Sequence, residues 1–440
     1  MGGIPEPSRI LFSGGCVLTL GERTSNFPQA DVLVDDGKVV EIGPGLRARD
    51  AERVDATDTV VMPGFVDTHR HASRSLLRNL GSIGGAPTPV ASFTQPEDLY
   101  AATLIGLLGA VEAGITTVVD WSDVPAGPDF VDAALQAHRD AGLRTVFVRV
   151  VDVARDGAAT LTPEELGGLV EAAGPCTTIA LGFELGLGGT EGMDELWVMA
   201  RGSGLPIQVH SGTQTRPGAI SQAADQGLLG PDVTFVHGPG LDETTIDALA
   251  GSGASVSLAP ASETAGGLGP PPIQQLVDRR LRPGLGVDDE RIAPGDLFAQ
   301  MRATISFQHA TVFDRKLAGK AGLPRLMSTR DVIRFATVDG ARVAGLGRVT
   351  GSLEPGKQAD IVVLRTDRPN VYPINDPIGA VVWGMDTSNV DWVLAGGRVL
   401  MRGGRLEADA ERARAIATSA GQRMAGAAGL VVGAVRGGDG

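Results

Sequence analysis

Cysteine is nearly absent from this chain of 440 residues: only Cys16 and Cys176 occur, far apart and in unrelated contexts. Two such residues build neither a disulfide framework nor a thiolate metal site, and they fit a reducing cytoplasm. Aromatic residues make up only 4% of the chain, so a core must be assembled mainly from Ala, Val and Leu. No apolar segment reaches the ~18 residues that would span a bilayer, and the N-terminal segment lacks the basic stretch and apolar run of a secretion signal. A soluble cytoplasmic protein with no membrane partner is expected. Positive charge is also scarce, with 38 Lys and Arg against 52 Asp and Glu and a net charge of −14. Such a surface repels phosphate backbones and argues against a nucleic-acid partner. Glycine is plentiful at 62 residues but shows no collagen-like period, so it reads as many turns.

The length suits one large core plus a smaller unit. Residues 8–18 and 31–42 are β-rich, and Asp35-Asp36-Gly37 sits where a tight hairpin turns. The same texture returns in ADIVVLRT, AVVWG and DWVLAGGRVLMRGG between 359 and 404. Residues 1–60 and 351–405 are therefore expected to pair as one small β-sandwich, which covers strand edges otherwise exposed. Between them, over 61–350, strand-like runs alternate with helices near 96–113, 129–140 and 192–202. The runs TVVMPGFVDTH, TTVVDW, RTVFVRV, TIALGFEL, PIQVH, VTFVH, SVSLAP and RPGLGVDD each finish in or beside a polar or ionisable residue. Eight such units predict an α/β fold, a TIM-like (β/α)8 barrel, with its chemistry at the strand C-termini. A doubly wound open sheet competes, but GSIGGAP at 81–87 lacks the helix start of a dinucleotide site. The tail, 406–440, carries an Ala-rich helix expected to stop before Gly421.

The chain has six histidines, and four end the strand-like runs: His69 and His71 in FVDTHRH, His210 in PIQVH and His237 in VTFVH. His69 and His71 are two apart, so a strand end places them on one face, within reach of one ion. The bland alternative is a set of solvated or core histidines. Asp288, after the eighth strand, is the carboxylate expected to complete the site with His69, His71 and His210. Three nitrogens and one oxygen suit Zn²⁺, with Fe²⁺ or Mn²⁺ as alternatives, and leave room for a water of lowered pKa. His237 is better placed to orient that water or to polarise an oxyanion. His138 reads as a surface residue of an amphipathic helix, and His309 as structural.

These motifs resemble the amidohydrolase superfamily, in the branch of cytosine, guanine and S-adenosylhomocysteine deaminases and triazine chlorohydrolases. PGFVDTHRH, QVH, VHGPGLD and GLGVDD carry the likeness, with PASETAGGLG at 260–269 and GSLEPGKQADIVVL at 351–364. It covers nearly the whole chain and implies one metal ion held by His69, His71, His210 and Asp288, with His237 touching the hydrolytic water. The deaminases carry a glutamate three residues after the fifth-strand histidine; here HSGT puts Thr213 there, which is no carboxylic acid. Asp288 is then expected to accept the proton of the attacking water. Glu263, where the deaminases resemble SN rather than SE, and Glu184 in LGFELG are candidates for protonating the leaving nitrogen.

Trp121 offers a flat wall for substrate, with Asp120 and Asp123 beside it, and Arg74 or Arg78 could recognise a substrate carboxylate. The Gly/Pro-rich stretch 81–95 reads as a lid or specificity loop. The expected function is metal-dependent hydrolysis of a C–N bond in an amide, amidine, lactam or deaminable ring. The substrate is a small metabolite or modified peptide, as in secondary metabolism. The alternatives are a nucleobase-like deaminase or chlorohydrolase with a relocated acid, a metal-dependent lyase or isomerase, and a non-catalytic binding protein. The resemblance admits a homodimer, although one chain discloses no interface.

Overall fold

A computed structural model describes residues 9–78, 95–122, 127–151, 161–185, 193–211 and 218–427. The chain opens with β1 (Arg9–Val17), β2 (Phe27–Asp35) and β3 (Lys38–Gly43), followed by β4 (Glu52–Asp55) and β5 (Thr59–Pro63). The Asp35-Asp36-Gly37 turn forms as read: Asp36 and Gly37 have φ of 45° and 73°, and Asp35 pairs with Lys38. Two successive positive φ values give the twist a two-residue hairpin needs.

Eight parallel strands then close into a barrel: β6 (Phe65–Arg70), β7 (Ile115–Ser122), β8 (Arg144–Val151), β9 (Thr177–Glu184), β10 (Ile207–His210), β11 (Val233–Val236), β12 (Ser255–Leu258) and β13 (Gly284–Leu285). Val66, Val119, Trp121, Val146, Val148 and Ala180 pack together with Ala341 and Ala344 into an aromatic-poor cluster. The chain returns to the first sheet through β14 (Ile361–Arg365), β15 (Val390–Ala395), β16 (Arg398–Arg402) and β17 (Arg405–Leu406). β14 pairs antiparallel with β5, which pairs parallel with β1, so one mixed, open sheet is built from both ends of the chain. A buried ion pair ties it to the barrel: Arg144 donates from Nε and Nη2 to the two oxygens of Asp360 at 2.8 and 3.1 Å.

Four expectations need correction. The run TVVMPGFVDTH is two strands, so the small sheet reaches Pro63 rather than residue 60. The break is Gly64, where a Cβ would stand 2.1 Å from the Thr116 side chain. AVVWG is helical, not a strand: a helical turn begins at Pro377, Val381 and Val382 are buried, and Arg302 caps the carbonyls of Val382 and Met385. The tail helix runs Ala410–Ala427, straight through Gly421. Ala413, Ala420 and Met424 are buried and Arg423 pairs with Asp98, so packing outweighs the ~1 kcal/mol that a helical glycine costs. His138 is buried, because it falls on the same helix stripe as Ala134 and Ala141. Its Nε2 meets Asp120 at 2.9 Å and its Nδ1 meets Thr145 at 3.0 Å. His309 holds the Met327 carbonyl from within a helix. Among the described residues no helix is long and apolar enough to cross a membrane.

Candidate metal centre

The backbone ladder brings the site together before any side chain is considered. Arg70 and Asp288 form a parallel bridge: Asp288 N donates to His69 O at 2.8 Å, and His71 N donates to Asp288 O at 3.1 Å. Glycine at 286 permits this closure, since a Cβ there would lie 2.7 Å from the His69 carbonyl oxygen. His210 ends β10 and His237 follows β11 directly. Both His237 and Asp288 adopt left-handed backbone, with φ of 71° and 64°. Such conformations cost about 1–3 kcal/mol in non-glycine residues and concentrate where a side chain must be aimed.

The side chains converge. Asp288 Oδ1 lies 3.4 Å from His69 Nε2 and 3.3 Å from His71 Nε2, and His210 Nε2 meets His237 Nε2 at 3.0 Å. His69, His71 and Asp288 form one group with ligand atoms within 4.8 Å of one another, and His69, His210 and His237 form a second. His69 belongs to both. Both of its ring nitrogens are buried and hydrogen-bonded to nothing among the described residues. Burial pushes the His69 imidazole well below its ordinary pKa, which keeps it neutral with a lone pair to give. Burial likewise lowers His210. Burial also disfavours the charged His237, but the Asp288 charge and the Glu263 carboxylate outweigh it and raise its pKa. Asp288 is ionised well below the usual carboxylate range despite its burial, because His237, His69 and His71 surround it. A neutral imidazole with no hydrogen bond, 3.4 Å from an ionised carboxylate, is the donor chemistry a divalent cation takes.

Each imidazole opposite the β6 pair is held from behind by a carboxylate. Glu184, at the end of β9 and exposed at the rim, meets His210 Nδ1 at 3.0 Å. Glu263 is fully buried, not an exposed loop residue, and meets His237 Nδ1 at 3.1 Å. Its carboxylate therefore lies on the far side of the imidazole from Nε2. Trp121 is also sealed, its ring 5.1 Å from that of His210 and 5.8 Å from that of His69, so it forms a floor beneath the histidines rather than an open wall. Arg78 chelates Glu290 and Arg74 pairs with Asp289 at 3.1 Å. Asp123, Thr213 and nearly all of the 81–95 stretch lie outside the described residues.

Four contributors escaped the sequence reading. Asp67 accepts from Arg70 Nε at 2.7 Å and from Val287 N at 3.0 Å, and Arg70 also meets Glu290 at 3.0 Å. Ser262 donates to Asp288 Oδ2 at 2.5 Å. For Asp67 and Arg70 the available signal was two charged residues inside FVDTHRH, a strand otherwise buried along its length.

A buried cluster of this composition at the strand C-termini of a closed parallel barrel is a site for a divalent ion, and together with the family match that follows it makes the protein a metal-dependent hydrolase of carbon–nitrogen bonds. The chain belongs to the amidohydrolase family, whose model matches residues 60–400. It is 26% identical over 430 residues to a 5'-deoxyadenosine deaminase of Methanothermobacter thermautotrophicus, covering 90% of this chain and 94% of that one. It is 29% identical to a 5-methylthioadenosine/S-adenosylhomocysteine deaminase of Natronomonas pharaonis, covering 90% and 93%. Its fold is similar to a zinc-bound adenosine deaminase from Xanthomonas campestris, with a TM-score of 0.81, 21% identity and coverage of 96% and 99%. It is also similar to a zinc complex of atrazine chlorohydrolase from Arthrobacter aurescens, with a TM-score of 0.79, 21% identity and coverage of 94% and 100%.

Proposed function

We propose that this protein hydrolyses a C–N bond at an unsaturated carbon of a small molecule, with one Zn²⁺ held by His69, His71, His210 and Asp288. The observation that carries the assignment is His69, desolvated on both nitrogens and shared by the two candidate ligand groups. A divalent ion there supplies Lewis acidity, lowering the pKa of a water and polarising the carbon under attack. The chain's own groups divide the proton work. Asp288 presents Oδ1 to His69 and His71 and keeps Oδ2 toward Ser262, with His237 Nε2 at 4.0 Å, and accepts the proton of the attacking water. His237 Nε2 faces His210 Nε2 and orients that water or donates to the developing oxyanion. Glu184, exposed at the rim, delivers a proton to the leaving nitrogen, a task Thr213 cannot perform.

Two sequence relatives favour one form of this reaction: the 5'-deoxyadenosine and 5-methylthioadenosine/S-adenosylhomocysteine deaminases named above match about nine-tenths of the chain, which supports deamination of an amino-substituted ring with Glu184 as the relocated acid. Amide, amidine or lactam opening in a small metabolite or modified peptide uses the same groups. The test is turnover by zinc-loaded protein in ¹⁸O-water against aminopurine nucleosides and a set of amides, amidines and lactams. Ammonia release with one labelled oxygen in the product from an aminopurine nucleoside supports deamination, and labelled product from an amide, amidine or lactam instead supports amide or ring opening. Product formed without solvent oxygen overturns hydrolysis.

A further inference from the structure

We infer that the helical turn Pro260–Ala265 is a two-pronged clamp, in which Ser262 and Glu263 are positioning residues for Asp288 and His237. The inference rests on the reading above and adds roles which that reading does not need. Consecutive side chains of one turn reach the two residues that handle protons. Ser262 Oγ donates to Asp288 Oδ2 at 2.5 Å, which fixes the carboxylate's rotation and leaves Oδ1 toward His69 and His71. Glu263 Oε1 meets His237 Nδ1 at 3.1 Å, which keeps a proton on Nδ1 and aims Nε2 at the site, where it can carry a second proton to donate. Ser262 and Glu263 are fully buried.

The clamp is itself anchored. Glu263 Oε1 also accepts from Ala259 N at 3.1 Å, closing the carboxylate back onto the residue that caps the turn. Ala261 N donates to Gln300 Oε1 at 3.1 Å, and Gln300 is buried in the long helix Leu297–Leu317. Both clamped residues have left-handed backbone, and such geometry persists only where surrounding contacts over-determine it. Glu263 Oε2 is buried without a partner among the described residues, a cost that a turn kept only for packing would shed by carrying an apolar residue. The carboxylate instead serves the imidazole.

The two prongs predict different losses. Ser262→Ala frees Asp288 to rotate and weakens Zn²⁺ binding about 10–100-fold, as loss of a group that orients a ligand does, while Ser262→Thr restores most of it. Glu263→Leu leaves Zn²⁺ affinity within about threefold of wild type but lowers kcat about 100-fold at unchanged KM; Glu263→Gln, which still accepts from Nδ1–H, recovers most of that loss. Zn²⁺ affinity is read by chelator competition, and the visible spectrum of Co²⁺-loaded Ser262→Ala should differ from that of wild type; neither measurement requires a substrate. Equal Zn²⁺ affinity and spectra in Ser262→Ala and wild type overturn the first prong. Equal losses in Glu263→Leu and Glu263→Gln overturn the second. Failure of wild type to hydrolyse any C–N bond overturns the functional reading and leaves the metal-binding outcome to be judged separately.

Discussion

Both ring nitrogens of His69 sit in the dry interior without a hydrogen bond among the described residues, a state that costs about 1–3 kcal/mol per group unless a ligand occupies it. His69→Ala is therefore expected to weaken zinc retention by at least about 100-fold, more than loss of a merely orienting partner, and to abolish turnover. Elemental analysis after gel filtration, beside an activity assay, checks both. Glu184→Gln is a sharper substitution, because the amide still accepts from His210 Nδ1 while losing the capacity to carry a proton. Zinc content should stay at the wild-type level while kcat falls about 100-fold. Equal kcat in the variant and wild type removes Glu184 from the proposed proton path.

At the scale of elements, the seam between β6 and β13 is held by charge as well as by the ladder. Glu290 receives Arg70, Arg78 and Ser75, while Arg70 also donates to Asp67 and to the Gly295 carbonyl. Glu290→Gln leaves the buried Arg70 guanidinium short of one counter-charge and should cost about 3 kcal/mol, measured as a lowered urea midpoint of metal-free protein. This seam also shows where sequence reading runs out. The strand ends were legible because each apolar run stops at an ionisable residue, and the sequence order of those stops set His69, His71, His210, His237 and Asp288 around one mouth. The contacts of Glu263 with His237, Ser262 with Asp288 and Glu290 with Ser75 were not, since they join positions 26, 26 and 215 residues apart through side-chain rotation rather than through any local period. The missed AVVWG turn has the opposite cause: β-branched residues suggested a strand, and packing against the Leu297–Leu317 helix decided otherwise.

Across the whole molecule, the composite sheet and the barrel share a border at Arg144 and Asp360, where Gly396 N also donates to Asp360 Oδ1 at 2.5 Å. Asp360→Asn removes the charge opposite a buried guanidinium and should destabilise the protein by about 3 kcal/mol. Differential scanning calorimetry of the variant beside wild type should show unfolding at a lower temperature or an added transition, and identical traces would mean the border is held by apolar contact alone.

The composite sheet has a consequence for synthesis. β5 ends at Pro63, yet the partner along its outer edge, β14, begins at Ile361. A ribosome adding about 5–20 residues per second needs on the order of 15–60 s to cross that gap of roughly 300 residues. For that interval the nascent chain displays an apolar strand edge with nothing to pair with, while the barrel is built beneath it. Chaperone depletion or a stalled codon in the second half of the message should accordingly reduce soluble yield more than the same disturbance placed before residue 59.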